Sequence, residues 1–248
     1  MKIFIVGGTS GMGLAMARFY TEKGHVVGVC GRNLEKLDNN MPFKTYKADV
    51  TDMVSLNVAI KHFTANMPLD LLVDFAGSYA EDVVLEITYA QAENMLKTNI
   101  LGSVNVLETG KDIMVPQQSG QIVLVASVSG ILNYQQSSLY TKTKRSIIQI
   151  ADAYRRALSP YGVSVGVMAP GYVNTQKLRE LNNADLSKKP FLIEENKAVS
   201  LMVKAIAEKR SFYIFPRKMK WLIKSLSVLP PFILNIIMNR KALWMKQN

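Results

Sequence analysis

Apolar residues along this chain fall into two alternating patterns. Short runs rich in β-branched residues lie at Ile3–Val6, Val26–Cys30, Leu71–Phe75, Ile122–Ala126 and Val163–Met168. They lack the apolar–polar alternation of a half-exposed strand, so they predict strands covered on both faces. Phe43–Lys47 and Phe212–Phe215 are weaker strand candidates. Longer stretches with helical spacing lie between: Leu14–Lys23, Val54–Ala65, Ala90–Ile113, Leu139–Leu158 and Lys197–Lys209. Strand and helix in alternation require crossover connections. The fold class expected is therefore α/β, a doubly wound parallel sheet of about seven strands with helices on both faces.

No internal repeat or low-complexity linker interrupts this pattern, and residues 1–216 read as one domain. The polar, irregular segment 176–195 follows a strand, where a lid over an active site belongs. Beyond Pro216 the apolar spacing resumes as a helical extension over residues 217–248. Met219, Leu222, Ile223 and Leu226 share one face, and Lys220, Lys224 and Ser227 another. Pro230-Pro231 interrupts, and Phe232, Ile233, Ile236, Ile237, Leu243 and Trp244 follow. Two short amphipathic helices hinged at the prolines are the reading.

Charge separates the same two parts. The 248-residue chain has 30 Lys and Arg against 19 Asp and Glu, a net of +11. Nine of the basic residues and none of the acidic ones lie in 209–248, leaving 21 against 19 in the rest. A nearly neutral body with a basic tail argues against a nucleic-acid footprint spread over the domain, and the tail is too apolar for a solvated basic arm. One cysteine, Cys30, excludes an internal disulfide framework, and with only two histidines a structural zinc site is implausible, so no metal is expected. The N-terminus lacks the apolar run and small-residue cleavage site of a signal peptide, and no stretch of about 18 apolar residues suggests a membrane span. A cytoplasmic location is expected. For the tail two readings stay open: peripheral contact with the anionic inner membrane surface, or packing over the substrate cleft or a subunit interface.

The first strand runs into Gly7-Gly8-Thr9-Ser10-Gly11-Met12-Gly13 and opens a helix. Such a turn offers backbone N–H groups and the positive end of a helix dipole to a phosphate. Gly7 permits the sharp turn, and Gly11 and Gly13 permit close approach of ligand and strand. This makes the fold Rossmann-type. The second strand ends at Gly31-Arg32. A carboxylate at this place would favour NAD(H). Arg32 instead offers a planar fork for a 2′-phosphate, so NADP(H) is preferred over NAD(H).

Further along, Ser127-Val128-Ser129-Gly130 ends a strand, and Tyr140-Thr141-Lys142-Thr143-Lys144 begins thirteen residues after Ser127. With the Gly7-x-x-x-Gly11-x-Gly13 spacing and Thr98-Asn99-Ile100-Leu101-Gly102, these motifs resemble the short-chain dehydrogenases/reductases over about residues 1–215. The resemblance implies Asn99, Ser127, Tyr140 and Lys144 as catalytic residues. It implies that Asp49-Val50 contact the adenine and that Pro170-Gly171-Tyr172-Val173-Asn174-Thr175 lies on the nicotinamide side. The cofactor set is then Gly7, Thr9, Ser10, Gly11, Met12, Gly13, Arg32, Asp49, Val50, Ala76, Gly77, Tyr140, Lys144, Pro170, Gly171, Val173 and Thr175.

The chemistry suits those residue types. Tyr140 and Lys144 are four apart and share a helix face. An ammonium near a phenol is expected to lower its pKa, which lets Tyr140 act as general acid or base while nicotinamide exchanges hydride with a carbonyl or alcohol. Lys144 would also hold the nicotinamide ribose, Ser127 the substrate oxygen, and Asn99 a water linking Lys144 to solvent. Lys142 and Arg145 flank the pair and are expected to point away. His25, His62 and Cys30 are given no role.

Two departures from the family pattern stand out. Asp74-Phe75-Ala76-Gly77 replaces a common Asn-Asn-Ala-Gly run, exchanging an amide for an acceptor-only carboxylate. Ser10 stands where many NADP-preferring relatives carry a second basic residue, so the 2′-phosphate reading rests on Arg32. The function expected is an NADP(H)-dependent oxidoreductase acting on a small-molecule carbonyl or alcohol, with the apolar tail hinting at a lipophilic one. The resemblance also implies a homodimer or homotetramer built on the helices near 90–113 and 139–158. The alternative is a catalytically retired NADP(H)-binding regulator or scaffold. Nucleotide-sugar chemistry would need a further C-terminal domain for which the chain lacks length.

Overall fold

In the computed structural model, which describes residues 1–35, 37–38, 40–65, 67–80, 87–135 and 137–238, the β-branched runs fold as strands of one sheet. They are β1 (Lys2–Val6), β2 (Val26–Gly31), β3 (Lys44–Lys47), β4 (Leu71–Asp74), β5 (Gly120–Val125) and β6 (Val163–Pro170). A two-residue pair, β7 (Val173–Asn174) and β8 (Ile193–Glu194), stands apart, and β9 (Phe212–Phe215) completes the main sheet. The order is β3-β2-β1-β4-β5-β6-β9, and every pairing is parallel.

The sheet is covered on both sides because its side chains alternate. Ile3 and Ile5 of β1 pack with α1 (Gly11–Glu22) and α7 (Glu195–Ala207). Phe4 and Val6 pack with α2 (Met53–Thr64), α4 (Gly102–Gln117) and α5 (Leu139–Leu158). Each such side chain taken wholly from water contributes about 1.5–3 kcal/mol before entropy is subtracted. The two weak strand signals belong to the sheet edges. β3 and β9 each have one neighbour and keep exposed positions, so their apolar pattern is thinner.

The expected single helix over 90–113 is interrupted. It forms α3 (Tyr89–Leu96), whose N-terminus is closed by a Thr88–Gln91 capping box, then a π turn over Lys97–Leu101, then α4. One extra residue per turn shifts Asn99 to a fully buried position, and such insertions recur at functional sites. Within 176–195 the short helix α6 (Gln176–Glu180) lies between β7 and β8.

The tail packs back on the body. α8 (Arg217–Ser227) and the helix over 231–238 bury Met219, Ile223 and Leu234 with Leu132, and Val128, Ile131, Tyr134 and Tyr172 border this cluster. Asn235 accepts a hydrogen bond from the Gln135 N–H at 2.9 Å. Leu243 and Trp244 lie outside the described residues. Among those described, no helix is long and apolar enough to cross a membrane.

Candidate active site at the carboxyl edge of the sheet

Because all seven strands run the same way, every turn leaving a carboxyl end opens on one edge. The strand order reverses between β1, which leads on to β2 and β3, and β4, which leads on to β5, β6 and β9. A crevice at such a switch point is where doubly wound sheets bind ligands. The turns after β1 and β4 meet there. Gly7 has φ +73°, and a Cβ on it would stand 2.7 Å from the Ala76 nitrogen, so only glycine lets the two turns pass.

α1 begins at Gly11. Ser10 is its N-cap but makes no side-chain cap hydrogen bond, and the first turn holds no acidic residue. The N–H groups facing the crevice therefore suit a phosphate. Glu195, at the start of α7, is the nearest carboxylate, with an oxygen 3.9 Å from where a Gly11 Cβ would lie. Thr9 packs against the end of β2. A Cβ on Gly31 would come within 2.6 Å of the Thr9 hydroxyl oxygen, which leaves little room there for an acidic side chain. Arg32 is next, is exposed, and makes no ion pair among the described residues.

Beyond β3, Asp49 is occupied locally. One of its carboxylate oxygens accepts both the N–H and the hydroxyl of Thr51. Val50 is buried, and its side chain fills the space left by Gly102 at the start of α4. Met12 is partly buried against the α1 side of the core. On the far side of the crevice, Gly171 donates its N–H to the Phe215 carbonyl and Val173 is buried. Pro170 is paired with Phe215, and Thr175 caps α6 by accepting the Leu178 N–H at 3.1 Å. These residues lie at or beyond the carboxyl ends of β1, β3 and β6.

Four side chains converge. Ser138 caps α5, and Thr141, Lys144, Ile147 and Ala151 form its buried stripe. Lys144 thus occupies a core position, 5% exposed, and donates to the Val125 carbonyl at 3.1 Å. Its Nζ lies 5.7 Å from the Tyr140 ring centroid. The Tyr140 hydroxyl is hydrogen-bonded with Ser127, which follows β5. Gly130 brings these elements together: a Cβ there would meet the Arg145 nitrogen and the Lys144 carbonyl carbon at 2.7 Å. Arg145 clamps the turn, donating to Gly130 O at 3.3 Å, Asn133 Oδ1 at 2.6 Å and Leu132 O.

Asn99 completes the group. Its Oδ1 accepts the Ser78 N–H at 2.7 Å, and its Nδ2 donates to Ser78 O and to Thr143 Oγ1, both at 3.0 Å. It ties the turn after β4 to α5. A Cβ on Gly77 would lie 3.5 Å from the Lys144 Nζ and 3.6 Å from Asn99 Oδ1.

The electrostatics differ from the expectation. The Tyr140 ring keeps some exposure, but its hydroxyl is surrounded by protein. Burial pushes its pKa up to about 12, opposed by the Ser127 hydrogen bond and assisted by Tyr79. Lys144 does not depress it. Burial lowers Lys144 itself to about 8, and the Asp74 carboxylate alone works against that. Two ionisable groups in one water-poor pocket have each moved toward neutrality.

Several participants were not singled out from sequence. The Tyr79 ring stands edge-on to Tyr140, centroids 5.0 Å apart, and Thr143 receives Asn99. Ser103 donates to Asp74 at 2.8 Å. Their proximity to the Asp74–Gly77 and Tyr140–Lys144 motifs was the available signal for Tyr79 and Thr143; Ser103 gave none.

The sequence profile of the family described as "short chain dehydrogenase" matches residues 1–186. The chain belongs to this family. An uncharacterized oxidoreductase of Staphylococcus epidermidis is 31% identical over 182 residues, which is 69% of this short-chain dehydrogenase and 77% of that relative. Among solved structures, ElxO with NADP bound superposes with a TM-score of 0.75 at 24% identity, covering 86% of this chain and 94% of its own. A short chain dehydrogenase from Burkholderia cenocepacia in complex with NADP gives 0.78 at 18% identity, covering 99% and 96%.

Proposed function

We propose that this short-chain dehydrogenase is an NADP(H)-dependent oxidoreductase that interconverts a carbonyl and an alcohol. Residues 1–216 form the catalytic unit, and Tyr140 exchanges the proton. The observation that carries this reading is the Ser127–Tyr140 hydrogen bond beside buried Lys144 at the switch-point crevice. Two neighbours were solved with NADP, and Arg32 beside crowded Gly31 supports the same phosphorylated cofactor here. When bound, the dinucleotide supplies or accepts the hydride.

The chain's own residues do the rest. The turn Gly7–Gly13 and the α1 N-terminus hold phosphate, and Arg32 the 2′-phosphate. Ser127 and Tyr140 bind the substrate oxygen from two sides. Tyr140, neutral through the physiological range, donates its proton as the oxygen becomes an alkoxide. An alkoxide is a stronger base than a phenolate, so the transfer stays downhill. Lys144 holds the nicotinamide ribose, and Asn99 fixes the turn of Gly77–Ser78 against α5. Val128 and Ile131, apolar and close after Ser127 in the chain, support a lipophilic carbonyl. A homodimer or homotetramer through α4 and α5 accompanies this reading, and light scattering measures it.

Tyr140→Phe is the test. Turnover of NADPH with a carbonyl panel should fall by at least about a hundredfold, the usual scale for losing general acid catalysis. NADPH binding, followed by fluorescence, should persist. A variant that keeps its turnover rejects the mechanism.

A further inference from the structure

The tail turns two faces in different directions. Met219 and Ile223 of α8 and Leu234 of the 231–238 helix are buried against Leu132. On the other side of α8, Arg217, Trp221, Lys224 and Val228 recur at helical spacing, with Lys218 beside them, and all are exposed. Trp221 is 57% exposed, Val228 80%, and on the following helix Phe232 is 66% and Ile236 52% exposed. Both helices bury their inner sides in one cluster, so their outer sides both face away from the body. Lys224 Nζ lies 5.6 Å from the Trp221 ring centroid, which places a cation beside the largest exposed aromatic.

We propose that this outer face docks the enzyme on an anionic lipid surface. Large apolar side chains exposed next to cations are poorly accommodated by water. A membrane interface accommodates both, with Trp221 and Phe232 at the acyl boundary and Arg217, Lys218 and Lys224 among the phosphates. Charge complementarity is one-sided, since residues 209–248 hold nine basic residues and no acidic one. α8 has eleven residues, too short to span, so the helix lies along the surface. The same cluster that holds the tail borders Val128 and Tyr134, so the inner side of the docked helices, opposite the lipid, adjoins the turn carrying Ser127. This inference stands independently of the reaction proposed above.

The test is flotation of the full chain with vesicles of phosphatidylglycerol and phosphatidylcholine, against vesicles of phosphatidylcholine alone. The chain should rise with the anionic vesicles only, and added salt should release it. Lys218→Gln with Lys224→Gln should weaken binding about 25-fold, at about fivefold per surface cation. Trp221→Ala with Phe232→Ala should abolish flotation while leaving the melting temperature unchanged, since both side chains are exposed. A wild-type chain that stays down with both vesicles, or binds both equally, overturns the proposal. So does a Trp221→Ala, Phe232→Ala variant that floats like wild type. If that variant instead lowers the mass seen by light scattering without lipid, the face joins two copies of the chain and the lipid reading is wrong.

Discussion

Asp74→Asn probes the site's most unusual group. Asp74 ends β4, is 2% exposed, and accepts the Ala76 N–H at 2.9 Å and the Ser103 hydroxyl at 2.8 Å. Burial dominates and pushes its pKa from 3.8 up to about 6, against the hydrogen bonds of Ser103 and Ala76 and the charge of Lys144. The folded state therefore holds this proton more tightly than the unfolded chain. The associated stability is fully present below about pH 4 and is lost as pH rises through about 6. A rise of about 2 units corresponds to about 3 kcal/mol lost at pH 8. Asparagine keeps the acceptor for Ala76, and its amide donates to Ser103 once that hydroxyl rotates. The variant should be more stable than wild type at pH 8 by up to about 3 kcal/mol, a figure already net of the attraction to Lys144. Urea unfolding between about pH 4 and pH 8 measures this: the two proteins should converge at the acid end and diverge to a plateau above about pH 6. Asp74 is also the charge that raises Lys144 against burial, so the basic limb of the pH–rate profile should move to lower pH. An asparagine variant that is less stable at pH 8, or that keeps the wild-type slope across the acid range, refutes the reasoning.

Three further outcomes follow from the geometry. Arg32→Gln should raise the KM for NADPH about 30-fold, the scale of one charge-assisted phosphate contact, and leave NADH kinetics alone; equal effects on both would dismiss Arg32 as the selector. Gly130→Ala drives a methyl to 2.7 Å from the α5 backbone, so kcat should fall as Ser127 moves from Tyr140 while NADPH affinity holds, and unchanged kcat would show the turn is slack. Leu234→Ala should lower stability in urea by about 2 kcal/mol if the 231–238 helix is docked in solution, and by nothing if it is not.

What the sequence disclosed depended on whether a residue's role was local. Strands buried on both faces announce themselves as unbroken β-branched runs, and the edge strands β3 and β9 read weakly because half their surface meets water. The Tyr140–Lys144 spacing was visible because both lie within one helical turn. The π turn at Lys97–Leu101 was not, since one inserted residue barely alters apolar periodicity; buried Asn99 was its only mark. Asp74 was conspicuous, but its partner Ser103 is 29 positions away on another element. In the tail the pattern marked Met219 and Ile223 as the inner side of α8, but it grouped exposed Leu222 with them and, in the following helix, picked Phe232, Ile236 and Ile237, which are exposed, over buried Leu234. Which side the body covers was decided by Leu132, about a hundred residues upstream, and no local pattern names that partner.

The ionisation of Tyr140 shows why spacing alone misleads about chemistry. Four residues apart on a helix, a lysine and a tyrosine share a face, and Coulomb's law alone would depress the phenol. That argument assumes the lysine is charged and close to the hydroxyl. Here Lys144 is drawn toward the Val125 carbonyl and lowered to about 8, while the Tyr140 hydroxyl turns to Ser127 and is raised to about 12. Desolvation acts on both groups, whereas their attraction acts only when both are ionised. Desolvation therefore wins. The site is a phenol that holds its proton beside a lysine whose ammonium burial weakens, the state that the proposed donation to a carbonyl oxygen requires. The Asp74 carboxylate, itself buried, raises Lys144 against that burial. A residue outside the Tyr140–Lys144 pair thus biases the charge on the pair's lysine, against the larger effect of burial.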